Sequence, residues 1–209
     1  MADKEYTNTA KIKDFLDITT TDTFESYILA AQKIIDNITG RNFKAGTEAK
    51  ERIFDGADGG SRELLIDDCI DIETVKIGDN AWGDSFTTVT AGGADGYLID
   101  PPSEDYRNEK GIPITKIILR SRVFLQGIQN QKITAKWGYS ETPPDDISFV
   151  ATVLAAGMYD FHRGGGSGTV KSEKIGNYSV AYDVDGGSVS LGQLEEAKSI
   201  LDSYTKLWL

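Results

Sequence analysis

Cys69 and His162 are the only cysteine and the only histidine in the 209 residues, so any thiol–imidazole nucleophile would have to be built from this pair. Their contexts argue against it. Cys69 sits in the apolar stretch Asp68-Cys69-Ile70 and reads as a small buried hydrophobe. His162 stands at the end of an apolar helical stretch, where a cation meets the negative end of the helix dipole. A single cysteine also excludes an intrachain disulfide. The cluster Gly164-Gly165-Gly166-Ser167-Gly168 has the composition of a phosphate loop but not its context. It follows a helix rather than a strand, and no Gly-Lys-Ser/Thr closes it, so it reads as a flexible connection. Asp183-Val184-Asp185-Gly186-Gly187 hints at calcium. The helix–loop–helix template would place Gly187 at a ligand position and Leu194 where a bidentate glutamate is required. Side-chain chemistry of Asp in tight turns accounts for it, and for the Asp-Gly turns at 55–60 and 95–96. Asp67, Asp68, Asp71 and Glu73 crowd one stretch, yet glycoside hydrolysis needs two carboxylates facing each other across a cleft, and acidic surface is the simpler account. Trp82, Phe86, Tyr97, Tyr106 and Trp137 suit either a sugar-stacking platform or a core and sheet face. The residue chemistry therefore predicts no catalytic group, no metal and no cofactor.

The charge balance narrows the partners. Thirty-three acidic residues against twenty-two basic ones give a net charge of −11, the wrong sign for a protein that neutralises phosphates. An acidic wall is compatible with DNA moving past without sticking. Apolar residues make up 39% of the chain, enough for a core, and no apolar run approaches the roughly 20 residues a bilayer requires. The opening Met1-Ala2-Asp3-Lys4-Glu5 has no apolar signal region, which predicts a chain that is not exported. The triplets Asn37-Ile38-Thr39 and Asn177-Tyr178-Ser179 then read as chance rather than glycosylation sites.

The elements that must position these residues follow from periodicity. Residues 9–18 read as a short helix with Ile12, Phe15, Leu16 and Ile18 on its apolar side. A second helix carries Phe24, Tyr27, Ile28, Ala31, Ile34, Ile35 and Ile38 at helical spacing. Asp22 is its candidate N-cap, with Glu25 three residues on as in a capping box, and Gly40 is its stop. From about residue 51 to 139 the period shifts toward two. Strands are expected at 51–54, 63–66, 70–77, 86–90, 96–99, 114–120 and 132–137, separated by Gly- and Asp-rich turns, which predicts an antiparallel sandwich or barrel. Trp137-Gly138-Tyr139 then ends a strand. Pro143-Pro144-Asp145-Asp146 opens a helix, with proline at the first turn and acid on the positive dipole end. From Ile147 to Phe161 that helix is apolar nearly all round and must be central. A hairpin over 170–183 turns at Gly176-Asn177. The last helix, from about 190 to 207, carries Leu194, Ala197, Leu201, Tyr204 and Trp208 as one stripe.

Three stretches resemble the head–tail connector (adaptor) proteins of tailed bacteriophages. They are Ile28-Leu29-Ala30-Ala31 through Thr39-Gly40-Arg41-Asn42-Phe43, the Pro-Pro-Asp-Asp central helix, and the hairpin Lys174-Ile175-Gly176-Asn177-Tyr178-Ser179. The resemblance implies an α+β protein: a helical connector domain of residues 1–48 and 141–209, with a β domain inserted at 49–140 that small connectors lack. It implies a non-enzymatic structural protein of the virion neck, assembled in the host cytoplasm. Copies would form a ring under the portal protein, expected to match its twelvefold symmetry. The ring would extend the DNA channel without reading sequence and would dock a stopper or tail protein. By position, portal contact falls on Leu194, Leu201, Tyr204, Leu207, Trp208 and Leu209. Gly164, Gly165, Gly166, Gly176 and Asn177 would face the channel or a ring neighbour. Two alternatives stay open: another neck or tail ring such as a stopper or tail terminator, or a carbohydrate-binding module on the β insert.

Overall fold

The computed structural model describes residues 5–56, 59–102, 104–105, 107, 111–163, 170–175, 178–183 and 191–206, with the backbone alone described for the strands within 170–183 and for Leu191. The fold is α+β. The chain divides into a helical unit, Asp3–Phe43 with Pro143–Leu209, and a sheet unit, Lys44–Thr142, inserted between those two segments.

In the helical unit, α1 (Thr9–Leu16) starts at Asn8, whose side chain accepts the Lys11 N–H at 2.9 Å, and buries Ile12 and Leu16. Helix α2 (Glu25–Thr39) ends as its sequence predicts, with Gly40 at φ +66° and its N–H on the Asp36 carbonyl at 2.9 Å. Its start differs from the expectation. Phe24 occupies the cap position without a side-chain bond, and the Asp22 carboxylate accepts from the Tyr159 hydroxyl at 2.7 Å instead. The helix begins three residues after Asp22, which leaves Asp22 outside the cap position and its carboxylate on a tertiary partner. Helix α3 (Asp145–Arg163) follows Pro144, whose carbonyl accepts the Ser148 N–H at 2.9 Å, and it carries Asp145 and Asp146 in its first turn. Ile147, Val150, Ala151, Val153, Leu154, Ala155, Ala156 and Tyr159 are all buried, so most of its circumference faces protein. Helices α1, α2 and α4 (Leu191–Tyr204) pack around it. Strands β7 (Val170–Ile175) and β8 (Tyr178–Asp183) pair antiparallel, Val170 opposite Asp183 and Ile175 opposite Tyr178.

The sheet unit holds β1 (Lys50–Gly56), β2 (Glu63–Gly78), β3 (Phe86–Val89), β4 (Tyr97–Asp100), β5 (Ile114–Leu119) and β6 (Gly127–Trp137). They form one antiparallel sheet in the order β1-β6-β2-β5-β4, with β3 also on β2. The two strands expected at 63–66 and 70–77 are one strand of sixteen residues. Its pairing register shifts between Leu65 and Cys69, between Cys69 and Asp71, and between Ile72 and Thr74. Such bulges bend a strand without ending it. One bent sheet can thus enclose a core by itself, and Leu64, Ile66, Val75, Ile117, Leu119, Ile133, Ala135 and Trp137 pack there with Phe124. The two ends of the insert meet. Lys44 bridges Ser140, the Ala45 N–H donates to the Ser140 carbonyl at 2.8 Å, and the Gly46 N–H donates to the Trp137 carbonyl at 3.0 Å.

Candidate interaction surfaces

Several of the residues whose types could do chemistry are engaged in structure. Cys69 is fully buried, and burial, followed by the charges of Asp68 and Asp71, pushes its thiol up to about 12. A thiol held protonated at neutral pH is a poor nucleophile. Asp67 binds Arg52, and Asp71 pairs with Lys136 at 3.8 Å. Of the five aromatics that could have stacked on sugar, Tyr97 and Trp137 are core, and Phe86 is half-buried with the Lys132 ammonium 4.2 Å from its ring centroid. Tyr106 lies outside the described residues, and of the four described Trp82 is the exposed one. No group of three or more His, Cys, Asp or Glu is arranged for a metal ion among the described residues.

The far end of α4 is fastened by residues from three other segments of the helical unit. The Tyr204 hydroxyl donates to the Asp146 carboxylate, 3.0 and 3.3 Å from its two oxygens. Its ring meets Phe43 edge-on at 5.1 Å, and its carbonyl accepts the Arg41 Nε–H at 2.6 Å. The Lys206 N–H then reaches the Thr39 carbonyl at 2.9 Å. Thr39 is itself fixed, its hydroxyl donating to the Ile35 carbonyl at 2.8 Å and accepting the Arg41 N–H at 3.2 Å. Thr39-Gly40-Arg41 is thereby the socket for the end of α4.

This geometry separates the residues that the sequence groups as a partner surface. Leu194 and Leu201 are buried in the unit with Ala197, so in the subunit they anchor α4, each burial contributing about 2 kcal/mol. Tyr204 is half-buried in the socket. The outward residues of α4 are polar, among them Glu195, Glu196, Ser199 and Asp202. Leu207, Trp208 and Leu209 lie outside the described residues, as do Gly164, Gly165, Gly166, Gly176 and Asn177.

Two further fastenings carry no signal in the sequence. Tyr6, in a polar stretch, is buried. Its hydroxyl donates to Asp36 and accepts the Phe43 N–H at 2.8 Å, and burial and the Asp36 carboxylate raise its pKa. At the other end of α3, the Tyr159 hydroxyl bonds Asp22 and accepts from Arg163 at 2.8 Å. The Tyr159 bond, then Thr20, holds the Asp22 carboxyl below the usual carboxylate range. A carboxyl depressed on folding adds stability above its unfolded pKa of about 3.9, and that stability drains away as the pH falls through the lower folded value. In thermal melts from pH 6 to pH 3, Asp22→Asn is therefore expected to start less stable and to lose less on acidification than the parent. Parallel curves would show that the pair contributes no pH dependence.

No protein-family model matches the chain, and no curated protein matches it either. Solved structures do match its fold: a helical unit interrupted by a six-stranded antiparallel sheet and completed by a hairpin and a helix. One such chain belongs to a structure described as "Neck of empty GTA particle computed with C6 symmetry", at a TM-score of 0.54 and 12% identity, covering 96% of this chain and 89% of that one. Another belongs to "Neck of native GTA particle computed with C12 symmetry", at a TM-score of 0.53 and 13% identity, covering 96% and 88%. At these identities the likeness is one of fold.

Proposed function

We propose that this protein is a structural subunit of a phage-type particle neck, and specifically a head–tail connector of the adaptor kind. Copies form a ring beneath the portal, extend the DNA channel and present the docking surface for a stopper or tail protein. The observation that carries this reading is the fold likeness along 96% of the chain, insert included, to chains in the necks of GTA particles. The adaptor-like stretches give it independent support. Within those stretches, Thr39, Arg41 and Asp146 fasten α4. The net charge of −11 suits a channel that DNA crosses without sequence recognition. The reading requires no catalytic group. Portal contact is assigned to residues 207–209 and to the end of α4 around Tyr204, with Leu194 and Leu201 holding that helix in place.

Co-sedimentation with the portal ring of the same particle tests the proposal. Saturation near one copy per portal subunit is the expected result. A stable ring that ignores the portal would move the protein to the stopper or tail-terminator position. A monomer that ignores the portal would remove the neck reading.

A further inference from the structure

Among the described residues the sheet unit exposes large apolar side chains at several places, and the two most exposed groups differ in shape. The first is a knob on adjoining loops. A Cβ added to Gly127 would lie 2.3 Å from the Ala81 carbonyl oxygen, and one added to Gly83 would lie 2.9 Å from that of Gln129. Trp82 and Ile128 stand between these close approaches and are 83% and 74% exposed. The knob is built rather than loose. Buried Asn130 accepts the Gly56 N–H at 2.9 Å and donates to the Leu125 carbonyl at 2.9 Å, while Gln129, at φ +55°, donates its N–H to Asp55 at 2.7 Å. The second surface is flat. Glu63, Ile118 and Leu98 form one row across β2, β5 and β4, and Leu65, Lys116 and Asp100 form the next. Leu65 is 66% exposed and Leu98 is exposed beside half-buried Ile118. The only cation in these rows, Lys116, lies 3.1 Å from Glu63 and 3.5 Å from Asp100.

We infer that the two surfaces are the halves of one contact between copies of this chain: the Trp82–Ile128 knob of one subunit seats on the Leu65–Leu98–Ile118 face of the next. The inference rests on the ring reading above and names where neighbours touch. Every subunit of a head-to-tail ring must carry two different, mutually complementary surfaces. A protruding indole and a flat aliphatic face on one unit meet that demand, and tryptophan is a frequent interface anchor. A second copy is the occupant because the fold neighbours stand in necks computed with C6 and C12 symmetry, and a ring of copies must bury two surfaces of each subunit against its neighbours. The internal pairing of Lys116 with Glu63 and Asp100 also limits repulsion between like, strongly acidic copies.

Cysteine cross-linking of the full chain, assembled on portal rings and separately at about 100 µM, tests the contact. Cys69 is fully buried, so the background is silent. Ala81→Cys with Leu98→Cys in one chain is expected to give a ladder of covalent multimers under mild oxidation. Either substitution alone should leave monomers, and a mixture of the two single variants should stop at dimers. Trp82→Glu or Leu65→Glu, both at exposed positions, should cut the assembled fraction at least tenfold without changing the circular dichroism spectrum. Full portal occupancy with no ladder, and with Trp82→Glu indifferent, would overturn the contact and leave the ring reading standing. Failure to self-associate and to bind the portal would overturn both.

Discussion

Gly138→Ala is expected to cost the sheet unit about 3–5 kcal/mol, measured as a lowered urea midpoint at unchanged slope. Two effects combine at this residue. Its φ of +139° lies in a region that residues with a side chain rarely adopt. An added Cβ would also sit 2.4 Å from the Ala45 Cα and 2.6 Å from the Ala45 nitrogen, both backbone atoms that cannot swing aside. Relief would require the 44–46 segment to retreat from the end of β6. That movement would break the Ala45–Ser140 and Gly46–Trp137 bonds joining the two ends of the insert, and the Gly138 N–H bond to the Asp68 carbonyl at 2.8 Å. An unfolding free energy within about 0.5 kcal/mol of the parent, the range of ordinary surface substitutions, would mean that the crossing of these two segments is wrong.

Removing residues 207–209 should weaken portal binding at least tenfold, and the melting temperature of the same variant reads how much of the loss is subunit stability. The chain is held inside the subunit as far as Lys206, whose N–H reaches Thr39, and Tyr204 is fixed by Asp146, Arg41 and Phe43. Removing 204–209 should therefore lower both binding and stability, because it takes out the buried contacts of Tyr204 as well. Tyr204→Phe isolates that contribution. It leaves the ring against Phe43 but strips Asp146 of a hydroxyl donor, a loss of about 1.5–3 kcal/mol for a bond to a charged group. Undiminished portal binding by the 207–209 deletion would sink the assignment of portal contact to the chain end. The three proteins together separate a docking role from a packing role, which a single truncation cannot do.

Local chemistry alone determined a good part of this protein. The near-continuous apolar run from Ile147 to Tyr159 required a helix enclosed on most sides, Gly40 required a helix stop, and alternation across 114–119 and 132–137 required strands. These signals are legible because they depend on near neighbours, with side-chain spacing at 3.6 or 2 and one residue free to take positive φ. The burial of Cys69 was legible in its apolar context too. Tertiary structure decided the rest. Nothing in Leu64-Leu65-Ile66 distinguishes the middle residue, yet the pleat turns Leu65 to the surface while its neighbours enter the core. Nothing in Asp67-Asp68 shows that β2 runs through it, because bulges are a property of the pairing with β5 and β6 rather than of the strand's own residues. Asp22 looked like a cap, but the helix starts later, at Glu25, and the Asp22 carboxylate meets Tyr159, 137 residues away in sequence. The stripe Leu194–Leu201–Tyr204 was correctly apolar, but periodicity gives a helix face and not what covers it. The α3 side of the helical unit and the Thr39-Gly40-Arg41 socket settle that, and they converge on α4 only when the chain has folded.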